Sequence, residues 1–196
     1  MASGFPGSID SFTNPLTTSP LNSPSHAGQH QDLNDAVNKI ETYMGLVKVT
    51  AQAITAASTL TISNCFSSLY DNYRIVVSGL QSPTQQFVNC TLSSGSAYTS
   101  CIDYKKYDGT GAGSNISTSN IQLGLSGANA GNCIIFDVTA PFLSIPTTFS
   151  GMNEGGNYFG VFHGRQTSNT SSTGLVMDWR DTVTATGYVR VYGYRN

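Results

Sequence analysis

The sequence predicts a mainly β protein: an antiparallel β-sandwich of jelly-roll type, preceded by an extended N-terminal arm and one short helix. Three observations predict it. About ten short apolar-rich runs follow residue 50, each closed by Gly, Pro, Asn or Ser, at the spacing of an all-β sandwich or barrel. Residues 31–48 carry a helical period instead. Residues 1–30 carry no period and contain Pro6, Pro15, Pro20 and Pro24. The expected organisation is therefore an arm (1–30), a helix (31–48) and a sandwich head (50–196).

The arm buries too little to offset its ordering entropy. Its prolines each fix φ and remove a donor. It lacks a basic segment followed by a continuous apolar core, so it does not read as a secretory signal. Among its Ser, Thr, Asn and Gly stand single apolar residues, and Phe5, Ile9, Phe12 and Leu16 are the candidate anchors for docking in extended form on another protein.

In QDLNDAVNKIETYMGLVK the apolar residues are Leu33, Val37, Ile40, Met44 and Val47. Their steps of 4, 3, 4 and 3 keep one narrow seam facing a partner helix. Asp32 is the expected N-terminal cap, and Gly45 suits a left-handed terminating residue. So short a helix is marginal alone, so it packs either on its own chain or on copies of itself. β-branched residues at both Val37 and Ile40 favour three strands, which makes Leu33, Val37, Ile40, Met44 and Val47 the candidate trimer contacts.

The β runs are legible by alternation: Thr59 to Ile62, Tyr73 to Leu80, Phe87 to Gly95, YTSCIDYKKYDG, SNIQLGLSG, NCIIFDVTAP, TTFSGMN, YFGVFHGR, GLVMDWRD and GYVRVYGYR. GTGAG at Gly109 to Gly113 lacks the Lys-Ser/Thr of a phosphate loop and reads as an exposed loop tip.

Composition narrows the function. Charged residues are 10% of the 196, against an ordinary ~25%, and the formal charge is -2. Neither a nucleic-acid footprint nor a basic membrane-binding block is expected. No run approaches the ~18 apolar residues of a membrane helix. Cys65, Cys90, Cys101 and Cys133 show no C-x-x-C spacing and no partner histidines, so reduced, buried thiols are expected rather than zinc.

Chemistry-bearing patterns are sparse. His26 and His30 would share a face if helical and could then surround a metal on a three-fold axis, but Gly28 between them argues against helix there. His163 lies on a strand without a nucleophile motif and reads as structural. Asp178 and Asp181 flank Trp179, the pattern of a sugar subsite with an aromatic platform; an alternating strand with Trp179 partly packed is the plainer alternative. No cofactor is expected and no enzyme is predicted. Loops carrying Tyr98, Tyr107, Asn157 and Tyr158 are the candidate ligand loops, for a glycan or a protein.

FPGSIDSFTNPL and SPSHAGQHQDLNDAVNKIETYMG resemble the N-terminal segments of small structural proteins of tailed bacteriophages. There a "pG-x-ID-x-F" start leads to an "H-x-x-L-NDA-x-x-x-IE-x-x-x-G" helix. The matching positions are Pro6, Gly7, Ile9, Asp10, Phe12, His30, Leu33, Asn34, Asp35, Ala36, Ile40, Glu41 and Gly45, and CFSSLYDNYRIVVSGL looks like the opening of the β head. The resemblance covers residues 1–80, and the rest only in general style. It implies a virion protein assembled in the host cytoplasm. Such a protein is commonly a homotrimeric fibre or receptor-binding tip, attached through its arm to other virion proteins. Capsid decoration or a head fibre is the alternative, and a glycan depolymerase the enzymatic rival. The absence of shaft repeats favours a compact knob over a reaching fibre.

Overall fold

The computed structural model describes residues 26–43, 45–126, 131–179 and 185–194, excluding the side chains of 26, 27, 29, 39 and 41–43. The arm anchors Phe5, Ile9, Phe12 and Leu16, the seam residue Met44, and Asp181 lie outside the described residues. The chain divides into two compact units, 1–45 and 46–196.

In the first unit, helix α1 spans His26–Tyr43. It starts before the expected residue 31. Gly28 is tolerated because it falls in the first turn, where backbone N–H groups lack intrahelical acceptors in any case. Asp32 consequently sits inside the helix and does not cap it. Gly45 has φ +87°, the left-handed conformation that ends helices. The expected helix therefore stops short, and Val47 and Lys48 belong to a strand. Val47 is not a seam residue of α1: the 4-3-4-3 spacing ran on across Gly45 by coincidence. Leu33, Val37 and Ile40 do lie on α1 and are 42–53% exposed.

The second unit holds twelve strands among its described residues. They are β1 (Leu46–Ala57), β2 (Thr59–Ile62), β3 (Asn72–Gln81), β4 (Gln86–Leu92), β5 (Tyr98–Lys106), β6 (Ala112–Ser117), β7 (Ile121–Ser126), β8 (Asn132–Thr139), β9 (Thr148–Gly155), β10 (Tyr158–Gln166), β11 (Leu175–Asp178) and β12 (Ala185–Tyr194). Each run read from alternation is present. Two strands exceed the expectation. β1 takes the residues after Gly45, and β6 starts inside GTGAG, whose Ala112 and Gly113 join the edge of a sheet. An edge strand with a solvated face needs no apolar alternation, which is why AGSNIS gave no strand signal.

The strands form an eight-stranded sheet, β1-β12-β3-β8-β9-β10-β5-β6, and a four-stranded sheet, β2-β11-β4-β7. Every pairing is antiparallel. Setting aside the hairpins β5-β6 and β9-β10, the remaining pairs are nested: β1 with β12, β2 with β11, β3 with β8, β4 with β7. That is one long hairpin rolled into two sheets, the jelly roll. The two hairpins extend only the larger sheet.

The core fills the space between the sheets. Tyr73, Ile75, Val77, Ile102, Ile134, Phe136, Val138, Phe149, Phe162, Val189 and Val191 come from the larger sheet; Leu60, Ile62, Cys90, Leu92, Ile121, Leu123, Leu175 and Met177 come from the smaller. Trp179, just past β11, is 0% exposed. Its backbone N–H donates to the Ser58 carbonyl at 3.0 Å, which carries the indole inward. Of the two readings of Trp179 the plainer one, packing, therefore holds and goes further than partial, since a ring with no accessible face cannot stack on a ligand. Gly124 has φ +148° and sits under the Asn153 side chain, so a larger residue there would meet both backbone strain and a clash.

All four cysteines are free. Burial pushes the Cys65 thiol up to about 12 and raises Cys90 further. Cys133 is half-buried, and its thiol is raised by desolvation and then by Glu154. Cys101 departs from the expectation of buried thiols: it lies on the exposed face of β5.

Candidate functional site

A sheet of eight strands paired with one of four cannot be fully covered on its inner face. β7 packs against β5, β9 and β10, and β6 lies beyond it at the sheet edge. On β5, alternation turns Ile102 into the core, and the next residue of that parity, Tyr104, reaches the uncovered rim half-buried. Tyr104 lies over Gly113 of β6, which has no Cβ to obstruct the ring. Tyr158 opens β10 opposite Lys106. The Tyr104 and Tyr158 rings meet edge to face, with centroids 5.9 Å apart and planes at 73°. The Lys106 ammonium stands 5.5 Å from the Tyr158 ring centroid.

These two rings, with Gln85, Gln86, Phe87 and Leu125, line an open depression of about 340 Å³. Its glutamine wall is held by hydroxyls. Ser126 Oγ accepts from the Gln86 backbone N–H at 3.0 Å and donates to the Gln86 carbonyl at 3.1 Å, and it lies 2.9 Å from Ser82 Oγ. The rim beside Tyr158 joins two turns, because the Tyr107 backbone N–H donates to the Asn157 carbonyl at 3.0 Å. Asp108 closes the β5-β6 turn, accepting from the Thr110 hydroxyl at 2.6 Å and the Thr110 N–H at 2.8 Å. Those bonds hold its carboxyl below the ordinary value. Tyr107 is largely exposed, and its hydroxyl is raised by desolvation and then by its hydrogen bond to Glu154.

Three of the four expected loop residues, Tyr107, Asn157 and Tyr158, thus converge on one rim. Tyr98 does not. It is buried in the core, and its hydroxyl accepts the Leu92 N–H at 2.8 Å. Tyr98 opens the run YTSCIDYKKYDG and was expected at its loop end, but it is the first residue of β5 and its parity with Ile102 turns it inward. Tyr104, Gln85, Gln86, Phe87 and Leu125 were missed, since they come from three separate segments with no shared motif.

Other candidates stay apart. His26 and His30 are one turn apart on α1, and the His26 side chain lies outside the described residues. Among the described residues no group of three His, Cys, Asp or Glu could hold a metal ion. His163 is exposed on β10, opposite Cys101 and Ser150. Asp137 is held by Arg74, whose Nε and Nη2 donate to its two oxygens at 2.9 and 2.8 Å, and by the Tyr194 hydroxyl at 2.7 Å. Desolvation raises that carboxyl, and these donors more than reverse it, so it ends below its ordinary value.

The depression offers apolar ring faces beside amide donors and acceptors and one ammonium. That set stacks against a flat apolar surface and hydrogen-bonds its polar edge. Compared with protein-family models, with curated proteins and with solved structures, the chain matches none.

Proposed function

We propose that this chain is a non-enzymatic structural protein of a tailed-phage particle, a homotrimeric appendage whose β head faces the host surface. Residues 1–30 attach it to other virion proteins, α1 joins three copies, and the Tyr104–Tyr158 depression takes a host glycan. The observation that carries the reading is the seam of α1. Leu33, Val37 and Ile40 are apolar, share one helical stripe and stay exposed in the single chain. The N-terminal resemblance to phage structural proteins supplies the particle context. Three heads on one stem raise weak single-site binding by effective concentration.

The depression favours a host-facing head over plain capsid decoration, since covering a lattice point needs no aromatic-lined hollow. Trp179 is in the core, so no indole face is open to a sugar beside Asp178.

The test is the mass of the full chain by light scattering. A threefold multiple of 20.8 kDa is expected, lost in Ile40→Asp while the circular dichroism of the head is unchanged. Persistence of the threefold mass in Ile40→Asp would remove α1 as the trimeriser. Tyr104→Ala and Tyr158→Ala should weaken binding to host surface polysaccharide by roughly tenfold each, the scale of one lost aromatic stack.

A further inference from the structure

The solvent side of an antiparallel sheet is ordinarily polar. The outer face of the eight-stranded sheet departs from this along one line. Strand register places Asp103 opposite Val161, Val161 opposite Met152, Met152 opposite Ile135, Ile135 opposite Val76, and Val76 opposite Arg190. Directly opposed residues share a face, so these six side chains form one row across β5, β10, β9, β8, β3 and β12. Its middle is four apolar side chains on adjacent strands. Val161, Met152 and Ile135 are 36–54% exposed, and Val76 is half-buried. The row on one side is polar or charged: His163, Ser150, Asp137 and Arg74. The row on the other side mixes exposed Phe159 and half-buried Cys133 with Glu154, so the apolar surface widens at β10. An exposed apolar stripe with charged neighbours marks an interaction surface.

We infer that this stripe is the contact face for a second copy of this chain, with the strand order of the partner reversed. The ends of the row say why the occupant is another copy. The apolar middle is flanked on one side by Asp103, a carboxylate, and on the other by Arg190, a guanidinium, with the small residues Ser114 and Ala51 beyond them on the two edge strands. Read from either end, the row runs charge, Val, two long apolar residues, Val, opposite charge. Reversed on itself, Asp103 meets the partner copy's arginine at 190, valine meets valine, and Met152 meets the partner copy's isoleucine at 135. Arg190 is already oriented, by donating to Ser78 Oγ at 2.8 Å and by stacking 5.6 Å from the Tyr188 ring centroid. A stripe that meets the same stripe reversed is a two-fold contact and pairs two copies, independently of the α1 seam.

Within one chain the two charges stand five strand spacings apart, about 24 Å at ~4.8 Å each, and cannot pair. A charge swap therefore separates contact between copies from any effect inside one copy. The experiment uses the full chain carrying Ile40→Asp, so that association through α1 does not contribute. Sedimentation velocity is run over a concentration series. Self-association is expected to remain, and Met152→Glu should abolish it. Asp103→Arg and Arg190→Asp should each weaken it about tenfold or more, and the double swap should restore it. All variants should keep the parental melting temperature within a few degrees, as surface changes do. A monomer at every concentration overturns the inference, as does a double swap no better than the singles. A monomer whose Met152 resists peroxide oxidation overturns it too, since the stripe is then covered by residues of the same chain.

Discussion

Replacing Trp179 by alanine is the sharpest check on the internal reading of this fold. The indole is fully buried. A buried tryptophan removes roughly 150–250 Å² from water. At about 25 cal/mol per Å² that is at most about 4–6 kcal/mol, an upper bound because the unfolded chain is not fully extended. One feature offsets part of it: the indole Nε1 has no hydrogen-bond partner, and an unmet buried donor costs about 1–3 kcal/mol. The Trp179 backbone bond to Ser58 survives the substitution. A loss of about 3 kcal/mol is therefore expected for Trp179→Ala. Trp179→Phe should cost less, about 1–2 kcal/mol, because it removes the unmet donor along with part of the ring. With a urea slope of about 2 kcal/mol/M, the alanine variant shifts the midpoint by about 1.5 M. The assay is far-UV circular dichroism, since Trp179 is the sole tryptophan and its fluorescence goes with it. Intrinsic fluorescence of the parent protein provides the companion observation, a blue-shifted emission resistant to acrylamide. An alanine variant within about 0.5 kcal/mol of the parent, or a tryptophan quenched as readily as free indole, would refute the argument.

Three further outcomes follow from the same packing. Asp137 has a folded-state value below its unfolded one, so its contribution is present above about pH 4 and is lost as pH falls through the depressed folded value; the stability gap between parent and Asp137→Asn should close only in that acid window. Both charges are about a third exposed, so the gap at neutral pH should stay near or below about 1 kcal/mol by thermal or urea melts. A maleimide should label Cys101 rapidly in the native protein and leave Cys65 and Cys90 unlabelled until denaturant is added, as read by intact mass. Gly124→Ala should destabilise by about 1–3 kcal/mol in the same melts, because a Cβ there meets Asn153 on a strained backbone.

Much of the local structure was legible because it is written with a short period. Alternation of two reports which residues turn inward on a single strand, and it located the strands from Tyr73 onward apart from β6. The 3.6-residue period located α1, and the stop at Gly45 was readable as a left-handed position. Both boundary errors arose where a local rule met a neighbouring one. The apolar spacing ran past Gly45 into Val47, and Gly28 was weighed as if it sat in a helix interior rather than the first turn. Tyr98 was taken for a ligand-loop residue because polar neighbours surround it, and Trp179 was expected only partly packed, while burial depends on which sheet lies above.

What the sequence by itself determined is a β head, a separate helix with an apolar seam, and a chain poor in charge. The nesting of β1 with β12 and β2 with β11 joins residues more than a hundred positions apart, and no local period encodes such a choice. The depression arises from the mismatch between eight strands and four, a property of the two sheets together. The apolar stripe is decided in the same way. Val76, Ile135, Met152 and Val161 belong to four separate strands, each unremarkable alone, and only the hydrogen-bond register between those strands sets them side by side.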